Sequence, residues 1–404
     1  MARMFQYREI RKQEIPSYRQ LVNYSFNMEA GYREYGIDDE VGEVIGQRRG
    51  LFQDDRLLCC YMLYCFHCRV RDSWFKVGAL GDVASPPEHR RMGLVGKMLT
   101  GSLAEMKERE MALSALWPFS YPFYRKYGWE QATAFQSYTL EPGSLAFTSE
   151  DKLGQFRQVT ATDYQLLNEI YSDFYSGYSL EIERTEEWWQ DRVFRRRDTR
   201  FGYLWEAEGK ARGYIIYSAK PGKEGRFWER QLLVPELVAG DHQAYLQLLR
   251  FLYYHDSQVK EVRFYAPLDD RLSITLPDPR IKQYQYEPGV MFRIVDVVAL
   301  LTKLNYPAGL QGKLTLKVRD SQACWNNGQF ELEVEDRQGI CRRVGEDGAA
   351  GLELDINQLA PLVTGFYDPH VAAELGYIKV RERKELELLA ELLPAERGYF
   401  AEFF

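Results

Sequence analysis

The sequence predicts an α/β chain: two mixed-sheet units of similar element order, followed by a smaller α+β unit. Three observations predict this. The length, 404 residues, exceeds one ordinary domain. Strand-like apolar runs and amphipathic helical stretches succeed one another through residues 1–150, and the order is echoed through 151–290, as an internal duplication would produce. From 291 to 404 the pattern changes to short strands with several short helices. We take these three ranges as the expected domains.

Composition narrows the class. With 45% hydrophobic and 27% charged residues, the chain reads as soluble and globular. A net charge of -7 argues against a general nucleic-acid surface and suits cationic partners, without locating a site. There is no apolar run of the length a membrane span needs, and the start through Glu9 lacks an apolar signal region, so a cytoplasmic protein is expected. The 28 Tyr, 22 Phe and 8 Trp favour aromatic-lined clefts or interfaces, although large cores use the same residues. Cys59, Cys60, Cys65 and Cys68 crowd one apolar run, while Cys324 and Cys341 lie far away. Cys65-Phe66-His67-Cys68 has the look of a zinc half-site, but a structural zinc needs four ligands and no second such pair follows. No metal is expected, and the thiols read as buried.

In the first unit, Glu14 to Asn23 has helical character. Leu57–Val70 and Trp74–Val83 read as strands around a tight turn at Arg71-Asp72-Ser73. The second strand enters Val83-Ala84-Ser85-Pro86-Pro87-Glu88-His89-Arg90-Arg91-Met92-Gly93-Leu94-Val95-Gly96, on which the unit is organised. A helix follows, its apolar face marked by Leu94, Val95, Met98, Leu99, Leu103 and Met106 and its end near Glu110. A strand, an Arg/Gly turn and a helix N-terminus make an anion site: the first N–H groups of the helix lack internal partners, the dipole adds positive charge, and Arg90 and Arg91 add charge-assisted donors. Gly93 and Gly96 would let the backbone approach a ligand. A plain strand-to-helix connection with a solvated arginine pair fits this turn equally well. Ala112–Leu116 is a further strand. Pro118 to Glu130 holds a short helix carrying Tyr124, with Gly128 as its C-cap, and Ala134–Leu140 closes the unit as a strand.

The second unit opens with helices over 160–175 and 186–196. Phe201–Glu208 and Ala211–Ser218 form a hairpin around Glu208-Gly209-Lys210; strand Glu229–Val234, helix His242–Tyr253 and strand Val259–Ala266 complete it. Its counterpart of the Arg/Gly turn, Pro235 to Asp241, has one glycine, two acids and no arginine. Those acids would repel a pyrophosphate, so this copy is expected to serve as scaffold and cleft wall. In the third unit, Met291 to Leu301 joins a strand to a helix. Leu314–Val318 is a strand, and Asn327-Gly328 is the strongest short hairpin signal in the chain. Gln329–Val334 and Ala349–Ile356 are strands; 357–363, 370–375 and 382–393 are helices. The chain ends Tyr399-Phe400-Ala401-Glu402-Phe403-Phe404. So aromatic an end, where chains are normally polar and loose, either anchors the last turn or anchors it in order to place the terminal carboxylate.

The first unit resembles the GNAT acyl-CoA-dependent N-acetyltransferases. Arg90-Arg91-Met92-Gly93-Leu94-Val95 matches the family's Arg/Gln-x-x-Gly-x-Gly/Ala loop, departing at Val95, where the family has a small residue. Phe123-Tyr124-Arg125-Lys126-Tyr127-Gly128-Trp129 matches its Tyr-x-x-x-Gly-aromatic element, about thirty residues on. With its domain order and aromatic end, the whole chain resembles the enhanced-intracellular-survival (Eis) group: an active GNAT unit, a degenerate one and a sterol-carrier-like domain. The resemblance implies Tyr124 as general acid and the Phe404 α-carboxylate as general base. It implies acetyl-CoA held by Val83, Ala84, Ser85, Arg90, Arg91, Met92, Gly93, Leu94, Val95 and Gly96, with Phe119 and Ser120 beyond. It further implies acetylation of aminoglycoside-like or polyamine substrates, or of lysine side chains, and a homo-oligomer, hexameric in the group. Asp38, Asp39, Glu40, Glu43 and Glu402 are candidates for an acidic acceptor wall. A carrier of an apolar ligand with a relic GNAT unit is the alternative of a different class.

The chemistry suits these roles. A phenol, with a pKa of about 10, can protonate a departing thiolate. A terminal carboxyl, with a pKa of about 3.3–3.7, is ionised and can take a proton from an ammonium group, and burial among aromatics raises its basicity.

Overall fold

The first sheet is built from β1 (Gln6–Glu9), β2 (Gly46–Gln53), β3 (Arg56–Val70), β4 (Ser73–Ala84), β5 (Leu113–Leu116) and β6 (Glu130–Gln131), interleaved with helices α1 (Ile15–Phe26), α2 (Leu94–Glu108) and α3 (Tyr121–Arg125). The structure is a computed structural model; it describes residues 5–26, 46–146, 154–194, 200–221, 229–280, 283–345 and 348–404. Asp38, Asp39, Glu40 and Glu43 lie outside the described residues. Strand order is β1-β2-β3-β4-β5, then Met291–Ile294, then β6. β1 to β4 pair antiparallel, β4 and β5 pair in parallel, and Met291–Ile294 runs antiparallel to both β5 and β6. Arg71, in the β3–β4 turn, takes a left-handed conformation (φ +54°). Its buried guanidinium donates to the carbonyls of Leu362, Val363 and Pro394 and pairs with Glu396 at 2.9 Å.

Helix α2 lays Leu94, Met98, Leu99, Leu103 and Met106 against Tyr61, Leu63 and Leu80 of the sheet, the face that the three- and four-residue spacing marks. Each such side chain contributes about 1.5–3 kcal/mol on burial. Cys65 and Cys68 both lie on β3 three positions apart, so their side chains leave opposite faces of the strand and cannot grip one ion together. Burial pushes the Cys59 thiol up to about 12 and the Cys60 thiol further, which keeps both protonated and unreactive.

The same compact unit, Met1–Thr133 with Val290–Gly398 and Phe404, contains a third sheet. Its order is Gln338–Val344, Gly328–Glu335, Gln311–Arg319, Leu352–Asp355, Ile378–Val380. The Asn327-Gly328 pair does not make the expected tight hairpin. Gly328 opens a strand that pairs with Val318 across the intervening segment, and the tight turn is Asp336-Arg337, both with positive φ. Arg293, on Met291–Ile294, forms a fully buried ion pair with Asp320 at 2.9 Å. Asp320 also accepts from the backbone of Gln322 and Ala323 and from Asn326, so its lone pairs are filled.

The second compact unit is Ala134–Gly289 with Tyr399–Phe403. Its sheet has the order Gln283–Pro288, Ala134–Leu140, Val259–Ala266, Arg230–Ala239, Lys210–Lys220, Phe201–Ala207, Gln155–Gln158. Ala134–Leu140 therefore belongs to this sheet and not to the first, where Met291–Ile294 takes the place beside β5. Periodicity identified both as strands, but pairing partners are a long-range property that it does not encode. Arg230–Ala239 runs five residues past the expected strand end at Val234, so Glu236 lies within a strand and Asp241 caps the following helix by accepting from the backbone of Ala244. Glu236 therefore does not stand in an open turn. Among the described residues, no helix is long and apolar enough to cross a membrane.

Candidate active site

The first unit holds a fork at the ends of two parallel strands. β4 and β5 pair from Val77–Leu113 to Leu80–Leu116, and β5 then ends while β4 continues through Gly81, Asp82, Val83 and Ala84. On the other side of β4, Met62 pairs with Gly81 but Cys60 pairs with Ala84, so β4 carries an extra residue opposite Tyr61. This is a β-bulge, and Asp82 adopts φ +52° within it. The hydroxyl of Tyr18 donates to the Asp82 carboxylate at 3.3 Å. The bulge turns the end of β4 away from β5 and leaves its backbone over 81–84 beyond the last β5 pair.

From Ser85 the chain makes a short turn over Pro87–His89 and passes through Arg91 (φ +60°) and Gly93 (φ +74°) into α2. Arg90 Nε donates back to the carbonyl of Ser85 at 3.2 Å, which closes the loop. Arg91, Met92 and Gly93 are exposed at the start of a helix of 15 residues, where free N–H groups and the helix dipole favour an anion. The predicted loop residues do not all serve that surface alike. Leu94 puts its side chain into the core and offers only its backbone, while Val95, at the position the family keeps small, packs half-buried against the same core. Gly96 is buried, and a Cβ there would lie 2.6 Å from the Tyr127 hydroxyl. Its lack of a side chain thus makes room for Tyr127. Gly96→Ala is expected to cost about 1–3 kcal/mol through overpacking, measured as a lower midpoint of thermal unfolding.

Tyr124 sits on α3, eight residues past the end of β5. It is 2% exposed and belongs to the apolar cluster of Leu80, Leu94 and Leu116, which places it at the fork. Its ring lies edge-on to Phe119, Phe123 and Trp129 at 5.3, 5.1 and 6.4 Å between centroids. Phe119 is 69% exposed and covers Tyr124 from the solvent side. Burial holds the Tyr124 phenol above its ordinary value, so it keeps its proton. Gly128 (φ +90°) ends the helical turn and returns the chain so that the Trp129 backbone donates to the Tyr124 carbonyl. A side chain at Gly128 would also strike Arg293, with its Cβ 2.5 Å from Nη1. The buried Arg293–Asp320 pair is in this way part of what holds the tyrosine segment in place.

Phe404 reaches the same fork from the far end of the sequence. Its ring packs on Tyr64 and Phe66 of β3, at 5.8 and 5.7 Å. Gly81 meets its carboxyl group: a Cβ on Gly81 would stand 3.5 Å from the terminal carboxyl carbon and 2.7 Å from the Tyr64 ring. The carboxylate therefore lies over the first residue of β4 beyond the β5 pairing. Sequence reasoning named Tyr124, Phe404 and the loop but passed over Gly81, Tyr64 and Phe66. A glycine inside an otherwise apolar strand was the available signal, since it marks a bulge or a close approach. Glu402 is buried in the second unit and paired there with Arg184, so it is not an open acidic wall.

Comparison with known proteins agrees with this architecture. Residues 6–132 and 180–294 each match the acetyltransferase (GNAT) domain, together more than half of the chain, and 297–401 match the sterol carrier protein domain. An uncharacterized N-acetyltransferase of Streptomyces avermitilis is 27% identical over 321 residues, 76% of this chain and 75% of that protein. One from Streptomyces griseus is 25% identical over 364 residues, 85% of each. Among solved structures, a probable N-acyltransferase from Enterococcus faecalis superposes with a TM-score of 0.89 at 23% identity, over 99% of this chain and all of that one. Eis1 from Mycobacterium abscessus shares the fold with a TM-score of 0.75 at 18% identity, over 99% and 100%. The chain is a GNAT acetyltransferase of Eis-type organisation, two GNAT domains followed by a sterol-carrier domain, and the GNAT fold implies acetyl-CoA as its acyl donor.

Proposed function

We propose that the fork of the first unit transfers an acetyl group from acetyl-CoA to an amine of a cationic small molecule, an aminoglycoside-like compound or a polyamine, by direct attack on the thioester. The observation that carries this reading is the position of the Phe404 carboxylate over Gly81. A carboxylate held at the fork attracts an ammonium group and can take its proton. The residues present suit the donor. The backbone over 81–84 offers strand-type hydrogen bonds to the pantetheine arm, and Arg91 to Gly93 with the N-terminus of α2 suit its pyrophosphate. Arg90, Ser85, Phe119 and Ser120 border the same path.

Acetyl-CoA supplies an activated acyl group. The Phe404 carboxylate accepts the ammonium proton, and the freed nitrogen forms the new N–C bond. As the C–S bond breaks, Tyr124 donates its phenolic proton to the departing sulfur, and the second proton that the nitrogen sheds on becoming an amide restores the phenol. Positioned acid–base groups contribute about 10²–10⁴-fold each. In this reading the protein acts in the cytoplasm as a homo-oligomer, with a hexamer as the assembly that the Eis resemblance implies. The functional domains follow the ranges 1–150, 151–290 and 291–404 apart from the two strands described above. The test is acetyl-CoA consumption against a panel of aminoglycosides, linear polyamines and lysine peptides. We expect turnover with the multiply charged small amines; turnover confined to the peptides would reassign the enzyme to protein lysine acetylation.

A further inference from the structure

The second unit has a fork of its own, and the chain's own end is fastened beside it. Arg230–Ala239 pairs in parallel with Val259–Ala266 only as far as Val234–Phe264, then continues past it through Glu236 while still paired with Lys210–Lys220, just as β4 continues past β5 while still paired with β3. Glu236 accepts two hydrogen bonds of 3.0 Å from Arg184 and one of 2.9 Å from the Tyr214 hydroxyl. The other side of the same guanidinium holds Glu402: Arg184 Nε donates to Glu402 Oε1 at 2.6 Å, and Nη2 lies 2.5 Å from that oxygen. Glu402 also accepts from the Tyr171 hydroxyl at 3.3 Å and from Trp188 Nε1 at 3.1 Å. Arg184 lies against the rings of Tyr171 and Trp189, 3.9 and 4.6 Å from their centroids, and its side chain is 2% exposed. Burial by itself would raise the Glu236 carboxyl, but the charge and hydrogen bonds of Arg184 hold it below its ordinary value, so the pair is ionic.

A planar guanidinium packed against two rings and hydrogen-bonded at its edges has little freedom left. Whatever it grips is equally fixed. What it grips is Glu402, two residues from the terminal carboxylate, and Phe403 packs beside it on Tyr265. We propose that Arg184 is a positioning residue for acetyl transfer: by locking Glu402 it confines the final dipeptide and sets the place of the Phe404 carboxylate. The proposal rests on the reading of that carboxylate as the base. It gives the acidic second fork a use, since Glu236 orients the arginine that fastens the tail.

Glu402→Ala is the cleaner test, because Arg184 keeps Glu236 as its partner; Arg184→Ala would leave two carboxylates facing each other in a buried site. In the full-length protein we expect Glu402→Ala to lower kcat roughly 10–100-fold, the size of effect a displacement of about 1 Å produces. The KM for acetyl-CoA should stay unchanged, and Glu402→Gln, whose amide oxygen still accepts from Arg184, should recover most of the rate. A merely structural role would lower the amount of folded enzyme without changing kcat per active site, counted by bound CoA. Normal kcat in Glu402→Ala overturns the proposal, as does a loss that appears only in acceptor KM, which would make Glu402 a substrate contact. If Glu402→Ala is too unstable to count, Arg184→Lys decides: it keeps the charge but loses the fork, and an unchanged kcat there overturns the proposal. Removal of Phe404 separates the two readings. Full activity without Phe404 defeats the base assignment, whereas loss of activity there with normal kcat in Glu402→Ala defeats only the positioning.

Discussion

Tyr124→Phe is expected to lower kcat by about 10²–10⁴-fold, with little change in the KM for acetyl-CoA or in thermal stability. The substitution removes one oxygen and leaves the ring in its place among Phe119, Phe123 and Trp129. What is lost is the proton donor. Burial raises the Tyr124 pKa, so the phenol remains neutral throughout the working range of pH and is always able to donate. The same burial raises the proton affinity of a thiolate departing into that site, so donor and acceptor stay matched. The sign of the effect on stability follows from the direction of the shift. With its folded pKa above the unfolded value of about 10, Tyr124 carries no penalty below that pH, and relative to Tyr124→Phe the wild type loses stability as the solution becomes more alkaline and the buried phenol is driven to ionise. A Tyr124→Phe enzyme with wild-type kcat would remove the residue from the chemistry.

Removing Phe404 should have an effect of similar size, about 10²-fold or more. The new terminus would be Phe403, whose carboxylate starts one residue, about 3.8 Å, further back along the chain. The ring that packs half-buried on Tyr64 and Phe66 would go as well, with part of the about 1.5–3 kcal/mol that full burial of such a ring contributes. Two further variants divide the loss. Phe404→Ala keeps a terminal carboxylate at the right chain position and loses only the anchor, so it should retain more activity than the deletion. A glycine added after Phe404 keeps the anchor and moves the carboxylate by about 3.3–3.6 Å, so it should be nearly as inactive as the deletion. Steady-state rates with one amine substrate rank the three. An extended chain as active as the wild type would show that the terminal carboxylate is not the base.

Local pattern made much of this molecule legible. The three- and four-residue spacing of Leu94, Met98, Leu99, Leu103 and Met106 identified α2, and Gly93 ahead of it located the loop. Tyr124 and Phe404 were singled out by their positions in a motif and at a chain end. Pairing over long distances was not legible. The periodicity of Ala134–Leu140 shows a strand but cannot name Val259–Ala266 as its neighbour. Glu236 reads in the sequence as an acid of a turn that would repel a pyrophosphate, because the residue that neutralises it, Arg184, lies 52 positions earlier and packs against an aromatic ring. Asn327-Gly328 carries the composition of a tight turn, yet the ladder from Gln311–Glu335 to Val318–Gly328 fixes a longer connection. Gly81 carries no local signal of its partner: the residue that meets it, Phe404, lies at the far end of the sequence, and the space beside Gly96 is likewise taken by Tyr127.

The most direct test of the account is a single turnover in which enzyme loaded with acetyl-CoA is mixed with a linear triamine, and thiol release and acetylated products are followed together. The account predicts that the N-acetyl amine appears at the same rate as free CoA, that no acetyl group is found on the protein, and that both signals are lost together when Phe404 is removed. Acetylated protein formed ahead of the product, or thiol release at the same rate without the amine, would contradict direct transfer at the fork.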